Sequence, residues 1–275
     1  MTSISLDTFL KIGHNHKICE DYVLSGMTPI PHIILADGCS SSKNTEMGAR
    51  LLCYLARQFL ILKDVKNSTY EQMGNWIISN SEMAARQLGL NLSSLDSTLI
   101  VSYYIEEKNI IETRFYGDGF LIEISNLNQI SIYEVKFTKN APYYLSYRLD
   151  QVRDYLYHGL KTEMNFILTD FETEYRSISK LAYDYNLRIE KAASHLKLIM
   201  ICSDGLSSFY DEKIRGDNLI EVKDLLPDFT NFKNTTGVFL QRTVKKAIEK
   251  YEKQNIFHFD DLSMGAFLIG ENQKE

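Results

Sequence analysis

The sequence predicts an α+β protein with mostly antiparallel sheets, and the order of its apolar patterns is the reason. Short strand patterns come first, two helical patterns follow, and strands then return without the regular helix–strand alternation of a parallel sheet. With 4 Pro and 14 Gly in 275 residues, and no repeat or Ser/Gly-rich run, nothing marks a linker. A single domain over residues 1–275 is therefore expected.

The elements follow in chain order. DYVLSG (21–26) and HIILAD (32–37) read as strands around a turn holding Gly26, Pro29 and Pro31. Met47, Leu51, Leu55 and Phe59 recur every four residues, with Asn44 or Thr45 as cap and Glu46 in the first turn. Met73, Ile77, Ala84 and Leu88 make a second helical stripe, reinforced by Trp76. STLIVSYYI (97–105), IIETRFY (110–116) and FLIEI (120–124) return to strand, the last two joined by a tight turn at Gly117-Asp118-Gly119. Residues 135–195 carry no clear period. LKLIMICSD (196–204) is a buried-strand pattern, a basic amphipathic helix follows at about 236–253, and FDDLSMGAFLIG (259–270) closes with a strand.

Composition narrows the function. Hydrophobic residues at 44% and charged residues at 24% suit a soluble globular core. A net charge of −6 lacks the basic footprint of a nucleic-acid-binding protein. The N-terminal segment has no uninterrupted apolar stretch, so no secretory signal is expected, and no run is long enough to suggest a membrane span. The 4 cysteines form no CxxC pair, so neither a zinc site nor a disulfide framework is suggested, and the cytoplasm is the expected compartment.

The acids stand at strand ends. Asp21 opens one strand and Asp37 closes the next, so an antiparallel hairpin sets both at its open end. Asp204 ends an apolar strand and Asp260 begins the last one, while Asp118 lies between two strands. Carboxylates converging on one rim repel unless neutralised, and Mg²⁺ or Mn²⁺ suits hard oxygen ligands. Two such ions roughly 3.5–4 Å apart would clamp a phosphoryl group.

Six motifs in order, CEDY (19–22), ADG (36–38), DST (96–98), YGDG (116–119), CSDGL (202–206) and DDLS (260–263), resemble the set of the PPM/PP2C family of metal-dependent serine/threonine protein phosphatases. The resemblance runs from residue 19 to about 269 and implies a four-layer αββα sandwich. It implies that Asp21 and Asp37 bind metal, with Asp37 bridging two ions and the Gly38 carbonyl as a further ligand. Asp204 and Asp260 would complete the second ion's shell, Glu20 would act through water, and Asp118 with Asp204 would hold a third ion. The implied reaction is in-line attack by water on a phosphoprotein ester, with no phosphoenzyme.

Three positions depart from that family. His16, beside Lys17, stands where members usually carry a phosphate-contacting arginine. Cys39 stands where eukaryotic members often have a histidine, and Ser208 replaces an acid. Asp261 reads as a second, exposed acid. His14, His32, His158, His195 and His258 read as surface or packed residues.

Rival readings are weaker. A cysteine phosphatase needs C-x5-R, but Ser25, Thr45, Phe59 and Ser208 occupy the arginine position after the four cysteines. FILTDFETE (166–174) imitates a haloacid-dehalogenase-like motif with Asp170 as nucleophile, yet leaves Glu20-Asp21 and Asp37-Gly38 without a role. A catalytically weak binding module of the same fold has no need of clustered acids.

Overall fold

The computed structural model describes residues 2–170, 176–181, 186–213 and 219–271. The chain begins with strands β1 (Thr2–Lys11), β2 (Tyr22–Gly26) and β3 (His32–Ala36) and helices α1 (Thr45–Leu62) and α2 (Tyr70–Gln87). Strands β4 (Leu99–Ile105), β5 (Ile110–Tyr116), β6 (Gly119–Ser125) and β7 (Ile130–Phe137) follow, then α3 (Gln151–Gly159). Next come β8 (Glu163–Asp170), β9 (Arg176–Leu181), β10 (Leu187–Ala192), β11 (Leu196–Cys202) and β12 (Phe209–Asp211). The last elements are α4 (Val222–Thr230), α5 (Phe239–Glu252), β13 (Ile256–His258) and β14 (Leu262–Glu271).

Two large sheets, antiparallel throughout, are stacked. One has seven strands in the order β1-β14-β11-β6-β7-β8-β9, the other five in the order β10-β5-β4-β3-β2. Strand β3 reads as an apolar run because both of its faces are covered. In HIILA, Ile33 and Leu35 join Ile100, Ile199 and Phe267 between the sheets, while Ile34 and Ala36 pack under α1 and α2. On the far side Phe120, Met200 and Met264 pack against Leu226, Val244 and Ile248 of α4 and α5. The αββα layering expected from the family resemblance is present. Each fully buried Leu, Ile or Phe stabilises it by about 1.5–3 kcal/mol.

Local chemistry sets the ends. Thr69 and Gln72 form a capping box at α2, whereas Asn44 starts α1 from a left-handed conformation with φ 60°. Fully buried Arg114 on β5 pairs with Glu112 at 2.7 Å and donates to the carbonyls of Ser68 and Thr69, both at 2.9 Å. It thereby fastens the α1–α2 turn to the sheet.

Several sequence readings are corrected. Gly117-Asp118-Gly119 is not a hairpin turn: β5 belongs to the five-stranded sheet and β6 to the seven-stranded one, so the segment crosses between layers. The buried face of α1 runs through Ala49, Leu52, Cys53, Ala56 and Phe59, while Met47 is exposed and Leu51 and Leu55 lie on the flank. On α2, Ala85 is buried in place of Ala84, and Leu88 is an exposed cap. Strand β1 and helix α4 carry no clear sequence pattern, because polar residues interrupt the first and Pro227 lies inside the second.

Candidate active site

The acidic rim is built by strand register. Tyr22 pairs with Ala36, so Asp21 and Asp37 extend side by side from the open end of the β2–β3 hairpin. Asp37 is held through its backbone: its carbonyl accepts from Thr98 N at 2.8 Å and its N–H donates to Thr98 Oγ1 at 3.2 Å. In the other sheet Phe120 pairs with Cys202, which places Asp118 and Asp204 two residues beyond that pair on neighbouring strands. Cys202 also pairs with Met264, and Ser203 N donates to Ser263 O at 3.0 Å, which brings Asp260 and Asp261 to the same end.

Glycines allow the close approaches. A Cβ on Gly205 would lie 1.8 Å from the Asp261 carbonyl oxygen, and one on Gly38 would lie 2.9 Å from the Glu20 carbonyl oxygen. Gly117 and Gly119 take φ values of +118° and +131°, which L side chains rarely adopt, so the Asp118 crossing is set by backbone freedom.

The electrostatics are those of crowded, partly desolvated carboxylates. Asp21 is fully buried, and burial raises its pKa to about 7. Burial, then the charges of Asp21 and Asp204, push Asp37 well above the usual carboxylate range. Asp118 is raised by burial and by Asp204, and Asp260 is raised to about 6 by the same two causes. Burial raises Glu20 as well, against a hydrogen bond donated by the Thr45 hydroxyl at 2.9 Å. For His16 burial acts downward, but Asp261, Asp260 and Glu20 outweigh it and the imidazole's pKa is raised.

Asp261 is corrected: it is 2% exposed. Its carboxylate accepts from Gly13 N at 2.7 Å and Glu20 N at 2.6 Å, with His16 Nδ1 at 3.2 Å. These contacts draw the segment before β2 onto the rim, where His16 Nε2 also lies 3.6 Å from Asp260. Lys17, its sequence neighbour, is exposed and forms no ion pair with the acids among the described residues. Ser208 is buried, donating to Gly205 O at 2.7 Å and accepting from Asp260 N at 3.3 Å. Asp170 ends β8, between the antiparallel neighbours β7 and β9, and the following residues 171–174 of that motif lie outside the described residues.

The segment that showed no period supplies further groups. Burial, Cys39 and Asp118 drive the Tyr144 hydroxyl far above the normal tyrosine range, with Asp37 adding to the effect. Asp96 of the DST motif is buried and accepts from Ser42 at 2.8 Å, Ser146 at 2.6 Å and Arg153 at 2.8 Å. Its backbone carbonyl accepts from Cys39 N at 2.8 Å, so α3 is latched to the turn after Asp37. No local period marks such contacts, since 57 residues separate Asp96 from Arg153. Three of the four thiols do not suit nucleophilic work: burial, Asp261 and Asp21 raise Cys19 to about 12, and burial raises Cys53 and Cys202 as well.

Among the described residues no three His, Cys, Asp or Glu side chains stand as a ready-made metal cage. The donor chemistry nevertheless fits a hard divalent cation. Both Asp21 oxygens and Asp204 Oδ1 are buried without a well-formed hydrogen bond, Asp21 facing the Ser203 and Ser263 hydroxyls and Asp37, beside three more carboxylates raised by burial and mutual charge.

Comparison with known proteins agrees with this architecture. The family model for Protein phosphatase 2C matches residues 13–250. None of the curated proteins matches the sequence. Among solved structures, serine/threonine phosphatase Stp1 from Staphylococcus aureus superposes with a TM-score of 0.55 at 14% identity, covering 98% of this chain and 96% of its own. PppA, described as a key regulatory component of T6SS in Pseudomonas aeruginosa, has a TM-score of 0.55 at 12% identity, with 97% and 98% covered. The catalytic domain of serine threonine protein phosphatase PstP, in complex with 2 manganese ions, gives 0.51 at 13% identity, with 98% and 100% covered. The two-sheet sandwich and the family match together mark a PP2C-type serine/threonine phosphatase domain. The chain belongs to the Protein phosphatase 2C family.

Proposed function

We propose that this protein hydrolyses phosphoserine and phosphothreonine esters in phosphoproteins, using two Mg²⁺ or Mn²⁺ ions at the rim, with room for a third beside Asp118. The observation that carries the reading is the Asp21 carboxylate, fully buried without a well-formed hydrogen bond to either oxygen, at the end of a hairpin that also presents Asp37. When bound, the ions would supply positive charge for the phosphoryl oxygens and lower the pKa of the attacking water.

The chain's own residues divide the remaining work. Asp21, Asp37, Asp204, Asp260 and the Gly38 carbonyl would hold the ions, with Glu20 acting through water. Thr98 fixes Asp37 through its backbone, and Asp261 fixes Glu20 and His16. His16, its pKa raised by neighbouring acids, stands where it can offer a positive charge to phosphate. The test is hydrolysis of p-nitrophenyl phosphate in Mn²⁺, with metal binding followed separately by calorimetry. Asp204→Asn and Asp37→Asn should each lower turnover by at least about a hundredfold and weaken Mn²⁺ binding. Full activity in either variant, or none in the wild type with Mn²⁺, would overturn the proposal.

A further inference from the structure

Helix α5 carries a cationic ridge that the rim chemistry does not use. Its inner face, with Leu240, Val244 and Ile248, is buried against the seven-stranded sheet. Arg242, Lys246 and Lys250 are exposed and recur every four residues, so they form one row on the outer face. Lys233, on the loop before α5, faces the same cavity of about 390 Å³. The single acid lining it, Asp228, already accepts from Lys250 at 2.8 Å and from the Tyr251 hydroxyl at 2.8 Å. Arg242 is aimed by the Asn234 carbonyl at 2.8 Å, and neither Lys233 nor Lys246 has an ion-pair partner among the described residues. In a chain of net charge −6, this is a concentrated positive surface.

Its spacing selects an occupant. Residues four apart on a helix rise about 6 Å, and alternate residues of an extended chain are about 6.6 Å apart. An extended peptide with acids at every second position therefore meets the row in register. The row also points toward the rim. Gln241 N donates to Asp7 at 2.9 Å, Glu252 pairs with Lys11, and Lys11 is the strand partner of Leu262, which directly follows Asp261. The C-terminal end of α5 thus lies at the acidic end of the sheet.

We propose that this groove docks an acidic, extended segment of the phosphoprotein substrate, flanking the residue held at the rim. This rests on the phosphatase reading above, and binding without turnover separates the two. The first experiment measures anisotropy of a labelled, unphosphorylated peptide with glutamate at alternate positions, without metal and at low salt. The wild type should bind it about tenfold more tightly than the same peptide with glutamine. Arg242→Glu/Lys246→Glu, and Lys246→Glu alone in case the Arg242 contacts matter for folding, should remove the preference with melting temperature unchanged. The second experiment appends each sequence to a phosphoserine: KM should favour the glutamate peptide about tenfold in the wild type alone, with p-nitrophenyl phosphate turnover equal in all three proteins. Peptide binding that survives in a wild type without turnover supports docking and counts against the phosphatase reading alone. Equal binding of glutamate and glutamine peptides, undiminished binding by the variants, or preference for a single-stranded oligonucleotide or phosphatidylserine vesicles overturns the proposal.

Discussion

Replacing Asp21 by asparagine should stabilise the metal-free protein while disabling it. The carboxylate is fully buried, and burial outweighs the Ser263, Ser203 and Asp37 side chains that face it, so its pKa rises from 3.8 to about 7. Below pH 3.8 folded and unfolded chains both hold the proton, and the site carries no penalty. As pH rises toward about 7 the unfolded chain ionises first, so stability is lost progressively across that window. The rise from 3.8 to about 7, at about 1.36 kcal/mol per pH unit, amounts to about 4 kcal/mol at pH 8. Asparagine keeps the shape and removes the charge. In EDTA at pH 8 the variant should therefore melt roughly 10 °C above the wild type, a gap that closes as the pH is lowered toward 4. In Mn²⁺ the order should reverse, since ligand binding stabilises only a site able to hold the ion. Thermal unfolding by circular dichroism at both pH values, with p-nitrophenyl phosphate turnover in parallel, measures all three effects. A variant that melts below the wild type in EDTA at pH 8, or that turns over normally, would refute the reasoning.

Three further outcomes are expected. Gly205→Ala puts a methyl group against the Asp261 carbonyl and should cost about 2 kcal/mol or more and most of the activity; wild-type melting and turnover would show that the contact is slack. Cys39→Ser should leave Mn²⁺-dependent turnover within about twofold, because a hydroxyl can keep the contact the thiol makes with Ser41 Oγ at 3.1 Å; a loss beyond about a hundredfold in rate would reinstate the thiol as a reacting group. Arg114→Met leaves Glu112 with Arg188, also at 2.7 Å, and the Tyr103 hydroxyl, but frees the Ser68 and Thr69 carbonyls, so it should cost about 2–3 kcal/mol in urea unfolding; a change under about 1 kcal/mol would contradict the fastening role given to Arg114.

Much of the architecture was legible because its signals are local. Apolar runs such as IILA (33–36) and LIMIC (198–202) report strands buried on both faces, and the acids that follow them mark where those strands leave the core. The basic face of α5 was visible in the same way, since helical periodicity needs only a dozen residues. The α1 stripe was assigned about one position off, because several apolar rows on that helix share a four-residue period and only packing shows which one is inside.

The sequence by itself determined the α+β class, the β2–β3 hairpin that aligns Asp21 with Asp37, and the chemical type of the candidate site, because each depends on residues close in the chain. Only the tertiary structure decided that Gly117-Asp118-Gly119 crosses between sheets, that Asp261 is a buried anchor for Glu20 and His16, and that Tyr144 and Arg153 come to the turn holding Cys39. Those facts join residues tens to hundreds of positions apart. They arise from which strand ends meet when two sheets stack, and no local pattern of polarity carries that information.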